Sequence, residues 1–101
     1  MRPVVWSDEA ARNYLDILRY IARDNPSAAE KVADAIEKAG NGLSDFATGR
    51  PGRVSGTYEK PVAHLPYLIA YAITNTTGGG TVSILRIIHM SRNWPADEWP
   101  E

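Results

Sequence analysis

Two apolar stretches near the C-terminal end constrain the fold of this chain more than any other feature. PYLIAYAIT (66–74) and TVSILRIIH (81–89) are rich in β-branched and aromatic residues, and the glycine-rich sequence NTTGGG separates them. This arrangement predicts a β-hairpin. Because apolar residues stand on both faces of each strand, we expect both strands to be central in their sheet and covered on both sides.

Two helical segments precede this hairpin. Ser7 is a suitable N-cap residue with two acidic residues after it, and Asn25 followed by Pro26 predicts the start of a second helix. The short connection between the two helices predicts an antiparallel helical hairpin. The apolar positions of the first helix recur at helical spacing: Ala11, Tyr14, Leu15, Leu18, Ile21 and Ala22.

The remaining segments complete an α+β domain. RPVVW (2–6) predicts a short strand before the first helix, and YEKPVAHL (58–65) predicts an irregular one, since Pro61 cannot donate to a ladder. TGRPGRVSGTYE (48–59) is rich in glycine and proline and predicts a turn or loop. We therefore predict that residues 1–101 form a single domain, an N-terminal helical hairpin packed on a mostly antiparallel four-stranded sheet.

Composition and charge exclude several functional classes. The chain has no cysteine, and neither His64 nor His89 has ligand spacing to another histidine or a carboxylate, so we expect no metal and no cofactor. The formal net charge is −1, whereas a dedicated nucleic-acid binder carries a basic surplus. The N-terminus has no apolar core of signal-peptide length, and the longest apolar run, LIAYAI, is too short to span a bilayer. We expect a cytoplasmic protein.

The stretch ILRIIHMSRNWP, which begins at residue 84, brings several candidate functional residues close together. Strand alternation places Arg86 on the same face as Ile84 and Ile88, so its guanidinium should be partly buried and needs an ion pair or a ligand. Arg92 and Trp94 follow the end of the strand, and this combination is typical of an interface anchor. Trp94 could instead cover part of a small core.

Metal-free RNA cleavage is the catalytic alternative that the residues leave open. It needs groups that transfer protons and cations that stabilise the charge developing on the phosphate. The candidate proton-transfer groups are His89, His64 and Glu59, and the candidate cations are Arg53, Arg86 and Arg92. Each proton-transfer group also has a structural interpretation: His89 as a strand-end residue held by hydrogen bonds, His64 as a loop residue and Glu59 as a surface charge.

Taken together, these segments resemble the RelE/ParE superfamily of type II toxin–antitoxin toxins, on its ParE-like side. The resemblance runs from Trp6 to Pro95 and rests on YIARDNPSAAEKV, the loop GRPGRVSGT, the strand PYLIAY and the ending ILRIIHMSRNWP, in that order. It implies a toxin that a cognate antitoxin, encoded beside it, holds inactive in a hetero-oligomer.

The resemblance leaves two mechanisms open. ParE-like toxins are associated with inhibition of DNA gyrase, whereas RelE-like relatives cleave mRNA on the ribosome. The nuclease pattern expects lysines on the strand that here reads YEKPV, at positions that align with Glu59 and Pro61. It also expects an arginine where this chain has Leu68, and a terminal tyrosine that NWPADEWPE lacks. Arg92 does match an expected phosphate-binding arginine. The nuclease constellation is therefore largely missing.

Our leading hypothesis is a toxin without enzymatic activity that inhibits growth by binding a protein target, with DNA gyrase as the first candidate. The alternative is a ribosome-dependent mRNA endoribonuclease in which Arg53, His89 and Arg92 are catalytic. A third hypothesis is a degenerate toxin that persists as one half of a stable complex.

Contact surfaces follow from the leading hypothesis. The antitoxin is expected to lie across the helical hairpin and a sheet edge, where Ile17 and Tyr20, off the main apolar stripe of the first helix, are the predicted contacts. The predicted target-binding residues are Arg50, Arg53, Arg86, His89, Arg92 and Trp94.

Overall fold

Two α-helices and five strands follow one another along the part of the chain that the structure, a computed structural model, describes: residues 2–45, 49–52, 54–76 and 79–90. The α+β prediction is confirmed. In chain order, the elements are β1 (Val4–Trp6), α1 (Asp8–Ala22), α2 (Pro26–Asn41), a short 3-10 helix (Gly42–Ser44), β2 (Arg50–Pro51), β3 (Tyr58–Pro61), β4 (Tyr67–Thr76) and β5 (Gly79–His89).

The strands form one mixed sheet in the order β1-β5-β4-β3-β2. β1 runs parallel to β5, and the other neighbours are antiparallel. The two long strands are central, as predicted. The prediction of four strands is wrong by one, because Arg50 and Pro51, inside the segment predicted as a turn or loop, pair with β3 and form a fifth.

The predicted caps of both helices are confirmed. The hydroxyl of Ser7 accepts a hydrogen bond from the amide of Ala10 at 3.0 Å, and the side chain of Asn25 accepts one from the amide of Ala28 at 3.1 Å. These bonds satisfy amides that have no partner within the first turn of a helix. Pro26 is the first residue of α2, where its missing amide donor costs nothing.

The core-facing side of α1 is rotated from the predicted stripe. Ile17, which was predicted to lie off that stripe, packs against the core, whereas Leu15, which was predicted to face it, is 46% exposed. The predicted stripe lies partly beside the core-facing side of α1, since Ala11, another of its members, is also exposed. The face is fixed because α1 begins directly after β1, where Ser7 donates its amide to the carbonyl of Ile84 at 2.9 Å.

α2 packs closely on the sheet through Gly40, which is buried. A Cβ atom at this position would lie 2.8 Å from Cζ2 of Trp6 and 3.1 Å from Cδ1 of Ile84. Glycine weakens a helix by about 1 kcal/mol, yet α2 continues past Gly40 to Asn41. The glycine allows a close approach of helix and sheet that a side chain would prevent.

A β-bulge in β5 changes which residues share a face. Consecutive residues of β4 pair with Ile84 and Arg86, so Leu85 is an extra residue on β5. Ile84 packs in the main core with the helices, whereas Ile88 belongs to a second, smaller cluster. The prediction that Arg86 shares one face with Ile84 and Ile88 is therefore wrong, because strict alternation stops at the bulge.

Candidate functional site

A groove opens between α1 and the adjoining ends of β4 and β5. Its volume is about 670 Å³, which lies in the range of ligand-binding clefts and is large enough for a few side chains of a partner. We call it the α1 groove. Its lining consists of Glu9, Asn13, Asp16, Ile17, Tyr20 and Ile21 from α1, Tyr67 from β4, and Arg86, Ile87 and His89 from β5.

Along one wall of this groove, the side chains of Ser7 and of α1 form the hydrogen bonds to β5 that a neighbouring strand would otherwise form. The pairing of β1 with β5 ends at Trp6 and Ile84. Beyond that point the hydroxyl of Ser7 donates to the carbonyl of Leu85 at 3.0 Å. The side-chain oxygen of Asn13 accepts from the amide of Ile87 at 3.1 Å. These bonds satisfy backbone groups that would otherwise lie along an open sheet edge.

Arg86 crosses from β5 to α1 and binds Glu9. Its Nη2 atom lies 2.9 Å from Oε1 of Glu9, and the two side chains are 13% and 33% exposed. The hydrogen bond from Arg86 is the main reason that the pKa of Glu9 lies below its ordinary value. Arg12 lies 3.7 Å from the same carboxylate. Arg86 was predicted to need an ion pair or a ligand, and the structure shows the ion pair with Glu9. The Arg86 side chain also lines the groove.

Aromatic rings form the other end of the groove. Tyr67 and His89 are directly opposite each other on β4 and β5, with ring centroids 5.4 Å apart in an edge-to-face arrangement at 87°. Burial raises the pKa of Tyr67, and the neighbouring phenol of Tyr20 adds to this effect. Tyr20 itself is 68% exposed at the rim, as predicted.

The described lining of the groove carries a slightly acidic balance. Glu9 and Asp16 supply two carboxylates against the guanidinium of Arg86, which already contacts Glu9. Asp16 also lies 4.0 Å from Arg19, with both side chains mostly exposed. Phosphate groups would meet net repulsion here, since nucleic-acid affinity depends on cationic contacts. The groove is better suited to a protein segment.

The structure separates Arg50 from the other described target-binding candidates. Arg50 lies on β2, three strand spacings or about 14 Å from β5, and its guanidinium is 3.9 Å from Glu59. Glu59 is buried, so its interpretation as a surface charge is wrong. The predicted loop position of His64 is confirmed by its exposed turn with φ +64°.

Four of the predicted site residues meet in the α1 groove, and three lie outside the described part of the chain. Arg86 and His89, predicted to bind the target, line the same cavity as Ile17 and Tyr20, predicted to bind the antitoxin. Arg53, Arg92 and Trp94 lie outside the described residues.

Sequence reasoning missed the polar residues of α1 that line the groove. Glu9, Asn13, Asp16 and Tyr20 recur at spacings of four, three and four residues, which places them on one helix face. A search for a polar stripe beside the apolar one would have found this face. Tyr67 was quoted in the strand motif, but its opposition to His89 depends on the register between β4 and β5.

The described residues offer neither a metal site nor a membrane-spanning helix. Within these ranges, no three histidine, aspartate or glutamate side chains come together in a way that could hold a metal ion. The described helices also contain no segment with the length and apolar character needed to cross a membrane.

Comparisons with known proteins give one consistent result. The family model described as the ParE toxin of the type II toxin–antitoxin system parDE matches residues 4–94. Protein Y4kP of Sinorhizobium fredii, a proposed toxin, is 37% identical over 91 residues, covering 89% of this chain and 90% of that protein. Toxin RelE2 of Caulobacter vibrioides is 30% identical over 92 residues, covering 91% and 99%.

The fold also matches a solved structure. A chain from the chromosomal ParDE toxin–antitoxin system of P. aeruginosa superposes with a TM-score of 0.78 at 24% sequence identity. The match covers 88% of this chain and 96% of that one. At this identity, the likeness concerns the fold.

Proposed function

This chain belongs to the ParE toxin family of type II toxin–antitoxin systems, within the RelE/ParE superfamily, and from that premise we propose that it inhibits growth by binding DNA gyrase until a cognate antitoxin neutralises it. The observation that carries the proposal is the family match, which spans residues 4–94. In this proposal the chain has no enzymatic activity of its own and acts by occupying its target.

The described residues support protein binding over RNA cleavage. The position where the nuclease pattern expects an arginine after the strand tyrosine is Leu68, which is 3% exposed and packs in the smaller apolar cluster. On the strand where that pattern expects lysines, Glu59 is buried beside Arg50. The one guanidinium of the described groove lining contacts Glu9. A polyanionic substrate would therefore find few cations along this surface.

We assign the partner contacts of the proposal to the α1 groove and its surroundings. Ile17 and Tyr20 are the proposed antitoxin contacts. Because Arg86 and His89 line the same groove, an antitoxin bound there would cover part of the proposed target surface. Neutralisation then follows from direct competition. The full proposed target surface comprises Arg50, Arg53, Arg86, His89, Arg92 and Trp94.

An induction experiment tests the proposed function. The chain is expressed from a tightly repressed promoter, with and without the neighbouring antitoxin gene, and plasmid supercoiling and primer extension on translated mRNA are measured together. We expect growth arrest, loss of negative supercoiling and intact mRNA, all reversed by the antitoxin. Unaffected growth would show a degenerate toxin and overturn the proposal.

One observation favours a second candidate, the mRNA endoribonuclease. His89 lies against Tyr67 and lines the same groove as Arg86, so an imidazole and a guanidinium share one cavity. Discrete cuts within codons, lost in a His89→Ala variant that still folds, would establish this candidate and exclude the gyrase proposal.

A further inference from the structure

One carboxylate of the α1 groove forms a weak ion pair within its own helix, in the part of the chain that the structure describes. Asp16 lies 4.0 Å from Arg19, and the two side chains are 67% and 76% exposed. Exposed pairs of this kind contribute little to stability, since water and salt screen them and two long side chains must be held in place. Asp16 can therefore exchange Arg19 for a cation supplied by a partner at little cost.

Aromatic and apolar surfaces accompany this carboxylate. Tyr20, four residues further along α1, is 68% exposed, and Tyr67 lines the same cavity. A cation above a phenol ring is attracted to the negative face of the ring. Ile17 and Ile87 also line the groove and offer apolar surface to the aliphatic stem of a lysine or arginine.

The charge balance of the groove favours a ligand with a positive charge. Among the described lining residues, the guanidinium of Arg86 contacts Glu9 at 2.9 Å, so it compensates that carboxylate rather than Asp16. An anionic segment would be repelled by Asp16, and a purely apolar one would cover its carboxylate without compensating it. An apolar segment with one basic side chain would compensate the Asp16 carboxylate and also cover the apolar lining of the groove.

We propose that the α1 groove binds an apolar segment of the cognate antitoxin through one lysine or arginine side chain, whose charged end lies at Asp16 beside the rings of Tyr20 and Tyr67. This inference rests on the proposed function for the existence of the antitoxin and adds the chemistry by which it is recognised. The occupant is the antitoxin because the family match is to the toxin of a toxin–antitoxin system, parDE.

A matched pair of variants tests the role of Asp16. Full-length Asp16→Asn and Asp24→Asn each remove one exposed negative charge, but only Asp16 lines the groove. Binding of the labelled full-length antitoxin is titrated at about 50 and 300 mM salt. We expect Asp16→Asn to weaken binding about five- to tenfold at low salt, with a smaller salt dependence, and Asp24→Asn to change it less than about twofold. Equal affinities of the two variants would overturn the inference.

Charge reversal identifies the partner residue. Asp16→Arg is combined with antitoxin variants in which each lysine or arginine is changed to glutamate, one at a time. We expect a single reversal to restore binding and neutralisation. Restoration by none of them overturns the inference, as does self-association of the toxin that Asp16→Arg abolishes, since a second copy would then occupy the groove.

The outcomes separate this inference from the proposed function. If the toxin alters supercoiling but Asp16→Asn binds the antitoxin as tightly as Asp24→Asn does, the inference alone is refuted. Charge-dependent antitoxin binding with unaltered supercoiling would refute the gyrase target alone. Failure of the wild-type chain both to arrest growth and to bind the antitoxin would refute both.

Discussion

At the scale of single residues, the ion pair of Arg86 and Glu9 determines which charges of the groove are compensated within the chain. The guanidinium is 13% exposed and lies 2.9 Å from the carboxylate, so it has lost most of its water and depends on that contact. Glu9 also lies in the first turn of α1, where a negative charge is favourable. The pair joins helix to sheet and leaves Asp16 as the more exposed carboxylate of the lining.

Replacing Glu9 with glutamine should destabilise the fold in a pH-dependent way. The Arg86 hydrogen bond holds the pKa of Glu9 in the folded state below its ordinary value of 4.5. Between the folded and the ordinary pKa, the unfolded chain therefore binds more protons than the folded chain does. The stabilisation is present above that pH and is lost as the pH falls. We expect Glu9→Gln to lower the free energy of unfolding by about 1–2 kcal/mol near pH 7, and by less near about pH 3.5, in urea titrations.

Glu30→Gln, an exposed substitution on α2, is the control for this prediction. It should change the free energy of unfolding by less than about 0.5 kcal/mol at both pH values. A deficit in Glu9→Gln that does not shrink at low pH would contradict the role assigned to the carboxylate.

At the scale of elements, Asn13 and Gly40 each make a contact that helps to hold a helix on the sheet. The side chain of Asn13 binds the amide of Ile87 at 3.1 Å and so continues the edge pairing that β1 begins. On α2, Gly40 lets the helix approach Trp6 and Ile84 closely. Both contacts join residues far apart in sequence, and each one makes a separate prediction.

Substituting Asn13 should expose the β5 edge. Asn13→Ala removes the acceptor of the Ile87 amide, and we expect hydrogen exchange at that amide to accelerate about fivefold or more, corresponding to roughly 1 kcal/mol. Asn13→Asp keeps an acceptor oxygen but replaces the amide that donates to Glu9 at 3.4 Å with a second carboxylate, so it should retain only part of the protection. Exchange that is unchanged in Asn13→Ala would show that the amide is protected by some other contact.

Adding a methyl group at Gly40 should destabilise the helix–sheet interface. Gly40→Ala places Cβ 2.8 Å from the Trp6 ring, and we expect a cost of about 1–3 kcal/mol that exceeds the helix-propensity gain of about 1 kcal/mol. Gly42→Ala is the matched control, because a Cβ there meets nothing within 4 Å and φ is −64°. Its thermal midpoint should stay the same or rise, and an equal fall in both variants would contradict this explanation.

At the scale of the whole molecule, three phenols that are partly or fully buried couple folding to alkaline pH. Burial is the main cause that raises the pKa of Tyr14 to about 12, with a further contribution from its 2.9 Å hydrogen bond to Glu37 on α2. Burial also raises the pKa of Tyr67 and of Tyr71. The folded state therefore holds phenolic protons that the unfolded chain has lost.

Stability should fall as the pH rises above about 10, the ordinary pKa of tyrosine. A raised pKa in the folded state gives a stabilisation that is complete below that pH and disappears toward the folded value. We expect the urea midpoint to drop between about pH 10 and 12, and Tyr14→Phe to reduce this drop. Tyr20→Phe removes an exposed phenol that supplies only the smaller cause of the raised pKa of Tyr67, so it should reduce the drop less than Tyr14→Phe does. An equal effect in both variants would contradict the prediction.

Local sequence determined most of the elements, because caps and periodicity act over a few residues. Ser7 and Asn25 mark the helix starts, and the two apolar strands and their central position in the sheet follow from composition and alternation. The motifs also led to the family, which the comparisons confirm. The polar face of α1 could also have been predicted from the helical spacing of its side chains.

Only the tertiary structure decided which faces meet. The rotation of α1, which brings Ile17 to the core and leaves Leu15 exposed, depends on the pairing of β1 with β5. The bulge at Leu85 ends the alternation from which the face of Arg86 was predicted. The α1 groove exists because residues nearly eighty positions apart, Glu9 and Arg86, come into contact. Such long-range pairings are set by packing of the whole sheet against the helices, and no local pattern specifies them.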